Sequence, residues 1–216
     1  MQLTALNLRG PSMKHRPHNQ GYSQQGFTLL ECIIVAILIG TTLSWTVPNI
    51  RRQLIRQSVN NYVLRIEAGL QSLRMKQAVM KTSCVMQFPQ EAITTVGSNS
   101  ATNFLTPEQT IEVGKLTAQE KRDRLDCSND PAINEGFRFL DTEQGQGTQD
   151  IELSFTQPQF TISPPGTSDD GGSLVILIRA KKHALLNPSL PIRCVEFTGN
   201  GLSRMGDWEN DRCETR

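Results

Sequence analysis

The chain has 216 residues, 22 Lys+Arg against 21 Asp+Glu, and 37% hydrophobic residues, which is room for one folded domain with an appendage and not for two enzymes in tandem. With its 16 Gly added, the apolar share approaches the globular norm of roughly 45–50%, so a core can form. A net charge of +1 excludes the bulk electrostatic footprint of a strongly nucleic-acid-binding protein and leaves only local patches to consider.

Residues 1–26 hold Arg9, Lys14 and Arg16 and no Asp or Glu, leaving 19 basic against 21 acidic residues in the rest. The tip is positive and the body slightly negative. Phe27 to Val47 follows, 21 mostly apolar residues with one carboxylate, Glu31, and no Lys or Arg. A helix of that length reaches about 32 Å, enough to cross a hydrocarbon core of about 30 Å. A secretory signal has a shorter apolar stretch and a small-residue cleavage site after it, whereas this run ends in TVPNIRR. Arg51, Arg52 and Arg56 follow the run as the three basic residues precede it, so the positive-inside count is nearly tied. Glu31 is more informative. A carboxylate at mid-bilayer costs about 2.5–3.5 kcal/mol, less near the interface, and marks a functional site by default; the plainer reading is an interfacial side chain that snorkels to water.

Gly26-Phe27-Thr28-Leu29-Leu30-Glu31, preceded by a basic leader, resembles the processing site of type IV pilins and pseudopilins. The resemblance implies that a prepilin peptidase cuts after Gly26 and methylates the new amine of Phe27, that Glu31 is fifth in the processed chain, and that Pro48, at position 22 of that chain, kinks the first helix. Physically, an ammonium on Phe27 and a carboxylate on Glu31 are each expensive in lipid, while a pair formed between neighbouring subunits cancels both. Glu31 and Pro48 are therefore the expected assembly residues. The implied partners are the peptidase, other pilin or pseudopilin subunits and the inner membrane, with a single span and a periplasmic head that is later assembled into a filament.

Beyond Pro48 the pattern turns amphipathic. Ile50, Leu54, Val63, Ile66, Leu70 and Leu73 recur mostly at steps of three and four among Arg51, Arg52, Arg56, Arg65, Glu67, Arg74 and Lys76. The spacing predicts one helix from about Phe27 to Lys81 whose second half lays its apolar stripe on a head. The expected organisation is a leader over 1–26, a transmembrane or filament-core helix over 27–47, an amphipathic continuation over 48–82, and a β-rich head over 83–216. Strands are predicted at Cys84–Phe88, Ile93–Val96, Phe137–Leu140, Ile151–Thr156, Gln159–Ser163, Leu174–Ala180 and Ile192–Thr198. A short helix is predicted between Thr106 and Leu125, with Thr106 as cap, Pro107 in the first turn and Gln109 three residues on. Asp141 to Asp150 and Ser163 to Gly172 read as loops. The fold class is α+β: a long first helix packed on a sandwich-like β-rich head.

The passage from Gln77-Ala78-Val79-Met80-Lys81 into Cys84-Val85-Met86, the Pro165-Gly166-Thr167 loop before an apolar strand, and Arg193-Cys194-Val195-Glu196-Phe197-Thr198-Gly199 together resemble the GspH/FimT class of minor pilins. That class implies paired sheets on the first helix, with the last strand leading to a Thr-Gly turn. Cys32, inside the apolar run, reads as a small membrane-helix residue. Cys84, Cys127, Cys194 and Cys213 remain, an even number that favours two disulfides in an oxidising compartment and permits three pairings. The preferred pairing is Cys194–Cys213 with Cys84–Cys127, because the first closes the tail onto the last strand.

There is no C-x-x-C spacing, and two of the three histidines, His15 and His18, lie in the leader, so no metal or other cofactor is expected. Nucleophile-elbow, P-loop and dinucleotide fingerprints are absent, and His183, in a basic turn, is the head's one histidine, so no enzyme is expected. The function expected is that of a minor pilin or pseudopilin subunit taking part in assembly of a type IV pilus or a type II secretion pseudopilus. The alternative is a DNA-binding minor pilin in DNA uptake, since some FimT-type subunits bind DNA through basic C-terminal residues. Here residues 193–216 carry four Arg against five acids, so that role falls to Arg179, Lys181 and Lys182, with Lys121, Arg122, Arg124 and a stacking face on Trp208.

Overall fold

The computed structural model describes residues 28–95, 103–111, 117–128, 148, 150–169, 171–181 and 190–215. The chain divides into two compact units, Met1–Trp45 and Thr46–Arg216. Helix α1, Leu29–Met80, belongs to both and continues through Pro48.

In the first unit α1 is apolar all round. Its large side chains, Leu29, Leu30, Ile33, Ile34, Val35 and Ile37 among them, stand exposed. It is one helix long and apolar enough to cross a membrane. Three of its hydroxyls are satisfied within it: Thr41 Oγ1 donates to Leu38 O at 3.0 Å, Thr42 Oγ1 to Ile39 O at 2.9 Å, and Ser44 Oγ to Gly40 O at 2.9 Å. Such back-bonding hides hydroxyls that would otherwise be costly in hydrocarbon.

The second unit is built on the amphipathic part of α1. Val59, Tyr62, Val63, Ile66, Leu70 and Leu73 are all at most 4% exposed; the last four are as the spacing predicted, whereas Ile50 and Leu54, expected in the same stripe, are 50% and 59% exposed, and Val59 and Tyr62 begin it instead. The buried side chains meet two antiparallel sheets. The first has the order β2-β1-β4-β5, with β1 Cys84–Gln87, β2 Leu125–Asp126, β4 Gln159–Ser163 and β5 Thr167–Ser168. The second has the order β3-β6-β7-β8-β9, with β3 Ile151–Phe155, β6 Leu174–Ala180, β7 Arg193–Phe197, β8 Ser203–Glu209 and β9 Arg212–Glu214. One apolar core joins the helix stripe to both sheets. Two aromatic pairs bridge the sheets: Phe88 stacks on Phe155 at 4.0 Å, and Phe160 meets Phe197 edge-on at 5.8 Å. The fold is α+β.

Alternation explains the second sheet. In β6, Leu174, Ile176, Ile178 and Ala180 join the main core, while Val175 and Leu177 form a smaller outer cluster with Cys194, flanked by Phe104 and Trp208. The free edge of β3 is covered by single bridges from Ile93 to Phe155 and from Leu105 to Leu153, which blunts an exposed ladder.

Several sequence expectations are corrected here. The strand expected from Ile93 is a single bridge, with Val96 outside the described residues. The helix expected between Thr106 and Leu125 is two: α2, Pro107–Thr110, and α3, Ala118–Arg124. Each opens with a capping box: Thr106 N donates to Gln109 Oε1 at 3.2 Å, and Thr117 N to Glu120 Oε2 at 2.8 Å. Most consequentially, β7 is not the last strand, since β8 and β9 follow it. Gly, Asp and Glu give SRMGDWE little β propensity. It becomes a strand by pairing with β7 along five residues, Arg193↔Asp207 to Phe197↔Ser203. The strand predicted at Phe137–Leu140 lies outside the described residues.

Candidate functional site

Gly26 and Phe27 lie outside the described residues. Glu31 is in the first turn of α1, exposed, and its backbone N–H donates to Thr28 Oγ1 at 3.3 Å. Thr28 thus satisfies one of the donors that a helix start leaves open. A carboxylate in the first turn also suits the positive end of the helix dipole. Cys32 is free and exposed one residue on.

The remaining expected positions fall in the second unit. Cys84 is bonded to Cys127, and Cys194 to Cys213. The first bridge ties β1 to the segment just after β2. The second ties β7 to β9 and passes over β8 at Gly206, the partner of Cys194 in the ladder. A side chain at Gly206 would collide with the carbonyl of Glu214, so a glycine is required for that close approach.

Among the described residues, the basic side chains considered for nucleic acid are not gathered in one place. Arg179 is engaged on β6: it pairs with Glu152 at 2.9 Å and lies 3.8 Å above the ring of Phe104. Lys181 is exposed; Lys182 and His183 lie outside the described residues. Lys121 and Arg122 are half-buried. Arg124 donates to Glu108 O at 3.1 Å, and partial burial pulls its guanidinium below the ordinary value. The backbone N–H and the hydroxyl of Thr117 hold the Glu120 carboxyl below its ordinary value. Trp208 is half-buried beside Cys213 and Leu177. Among the described residues, no group of three or more His, Cys, Asp or Glu is placed to hold a metal ion.

Two polar arrangements were not foreseen. Arg193 on β7 faces Asp207 on β8 at 2.5 Å, with the Asp207 side chain 3% and the Arg193 side chain 23% exposed, so a buried carboxylate is held by a half-buried guanidinium. Arg74 of α1 reaches two turns far along the chain. Its Nη1 donates to Gly201 O at 2.6 Å, and a side chain at Gly166 or Gly201, both at positive φ, would overlap Arg74 or the Gly166 carbonyl. Ser168 N donates to Gly199 O at 2.9 Å, so the two turns meet backbone to backbone with Arg74 against both. Ser203 Oγ adds a bond to Glu67 Oε1 at 3.1 Å. The glycines were the available signal, because two turns that need positive φ and no side chain also mark where another group comes close.

No protein-family model matches the chain, and no curated protein does. Among solved structures, the crystal structure of the type IV minor pilin FimU of Pseudomonas aeruginosa, strain PAO1, aligns with 76% of this chain and 95% of that one at 10% identity and a TM-score of 0.34. A likeness of that depth assigns no family.

Proposed function

We propose that the chain is a minor subunit of a type IV pilus or of the related type II secretion pseudopilus. Residues 27–47 sit in the inner membrane with the head in the periplasm, and prepilin peptidase processes the chain after Gly26. The helix then leaves the bilayer to pack with the helices of other subunits.

The observation that carries this reading is the composition and exposure of the first helical stretch. Its Thr41, Thr42 and Ser44 hydroxyls are bonded internally, its large apolar side chains from Leu29 to Leu43 are exposed, and its one carboxylate lies five residues after Gly26. A plain anchor needs the apolar residues and has no use for Glu31. A subunit exchanging lipid for protein does, because Glu31 then has a cationic partner. Glu31→Gln should leave membrane insertion and processing intact and abolish crosslinking to neighbouring subunits in the host. Unchanged crosslinking would refute the role of Glu31. DNA uptake draws no support from the placement of Arg179, which is already engaged with Glu152 and Phe104.

A further inference from the structure

Between α1 and the second sheet, within the second unit, lies a cavity of about 90 Å³. That is room for a few waters or one small charged group, and far less than a drug-sized ligand requires. Its donors come from two elements: Arg56 and Asn60 from α1, and Arg193 from β7, whose Nη1 is held by Asp207. Val59 and Leu190 stand among its apolar lining. Two guanidiniums against one carboxylate leave the lining with one positive charge in excess. Donors are also left over. Arg193 Nε is buried with no hydrogen-bond partner among the described residues, and Arg56 forms no ion pair with them. Arg52, one turn earlier on α1, likewise buries its Nε without an acceptor. Buried donors without acceptors are costly, so the site gains from an anion that reaches it.

We propose that this cavity binds one phosphodiester, the headgroup phosphate of an anionic phospholipid. Charge and shape both fit. A phosphodiester carries a single negative charge, equal to the excess of the lining. Its oxygens are arranged tetrahedrally, so donors on α1 and on β7 can reach it together, and guanidinium is well matched to phosphate. Val59 and Leu190 suit the carbon atoms beside the ester oxygens. A nucleic-acid strand offers the same group, but holding a strand takes a row of cations along a groove, whereas this lining gathers its two guanidiniums around a space for one phosphate. Place in the chain favours lipid. Arg56 stands nine residues after Val47, and residues that follow a membrane span are the first to meet the headgroup layer. The inference shares with the assembly reading a bilayer around residues 27–47, but needs neither processing at Gly26 nor a filament, so the two readings fail separately.

The full chain in maltoside micelles, which carry no phosphate, is titrated with glycerophosphoglycerol, the acyl-free headgroup, at about 0.15 M salt. One site should saturate, and side-chain NMR of labelled arginine should show the Arg193 Nε–H signal shifting in step. Arg56→Gln should weaken binding about tenfold or more; because Arg56 is exposed, its loss should leave the unfolding midpoint in place. Arg51→Gln removes an exposed cation outside the lining and should leave binding unchanged. In phosphatidylglycerol nanodiscs the Arg193 signal should sit at its bound position with nothing added, and should move back toward its position in micelles in the Arg56→Gln chain. An absence of saturable binding, equal losses from the two variants, or an Arg193 signal that the nanodisc does not shift overturns the proposal. So does an Arg56-dependent preference of about tenfold or more for inorganic phosphate, which would make the occupant a free anion, or for a short oligothymidylate, which would make it a nucleic acid.

Discussion

Cys84–Cys127 closes a separation of 43 residues and Cys194–Cys213 one of 19, so their contributions to stability should rank by loop length. The loop-closure relation, with an entropy of about 2.1 plus 1.5R ln n cal/mol/K, gives about 4 kcal/mol for the first and about 3 kcal/mol for the second near 25 °C. Packing adds to the difference. Cys84 and Cys127 lie in the main core, at 0% and 3% exposure, while Cys213 is only half-buried. Each pair is replaced by Ala in turn, in a Trp45→Phe background so that Trp208 alone reports, and unfolding is followed in urea with the protein in detergent. The Cys84→Ala, Cys127→Ala chain should lose about 4 kcal/mol, and more than the Cys194→Ala, Cys213→Ala chain. A loss below about 1 kcal/mol for the first pair, or the reverse ranking, would refute the loop-closure reasoning.

Other perturbations probe the unforeseen contacts. Gly201→Ala forces a side chain into a positive-φ turn against the Gly166 carbonyl and should cost about 2 kcal/mol or more in urea unfolding; Arg74→Ala, which removes one charge-assisted hydrogen bond, should cost about 1.5–3 kcal/mol. Asp207→Asn leaves the half-buried Arg193 without its counter-charge and should cost about 1–3 kcal/mol, most of it recovered when Arg193→Met is added, as a double-mutant cycle would show. Carbon-detected NMR titration should place the Glu120 carboxyl below the ordinary glutamate value, held there first by the Thr117 backbone N–H and then by its hydroxyl, and Thr117→Ala, which removes only the hydroxyl, should bring it part of the way back. Because the folded pKa is depressed, this group's contribution is present above its unfolded pKa and is lost as pH falls through the folded one. A Glu120 titration unaffected by Thr117→Ala would refute a share for the hydroxyl beside the backbone N–H.

Much of the architecture is legible from periodicity. The apolar run and the three-and-four spacing define α1, and from Val63 to Leu73 its buried stripe, though Ile50 and Leu54 of the same pattern are exposed; apolar runs at Ile151, Gln159 and Leu174 define β3, β4 and β6. What the sequence hides is pairing. β8 has poor strand formers and exists because β7 and the turn at Thr198 hold it, with Thr198 Oγ1 donating to Leu202 O at 2.9 Å. β2 and β5, two residues each, are too short to leave a periodic signal. Arg74 was hidden for a related reason: its partner is a main-chain carbonyl 127 residues away, and nothing local to Arg74 distinguishes it from a solvated helix charge. Of the candidate assembly residues, Glu31 stood out by chemistry alone, as the single carboxylate in an apolar stretch.

The central claim stands on processing at Gly26, and intact mass with N-terminal sequencing of the membrane-extracted protein measures it directly, with and without a Gly26 substitution. The account predicts a mature chain beginning at methylated Phe27, lost in the variant. An uncut chain in a host with active prepilin peptidase would contradict it, leaving a membrane-anchored β-rich head with no role in a filament.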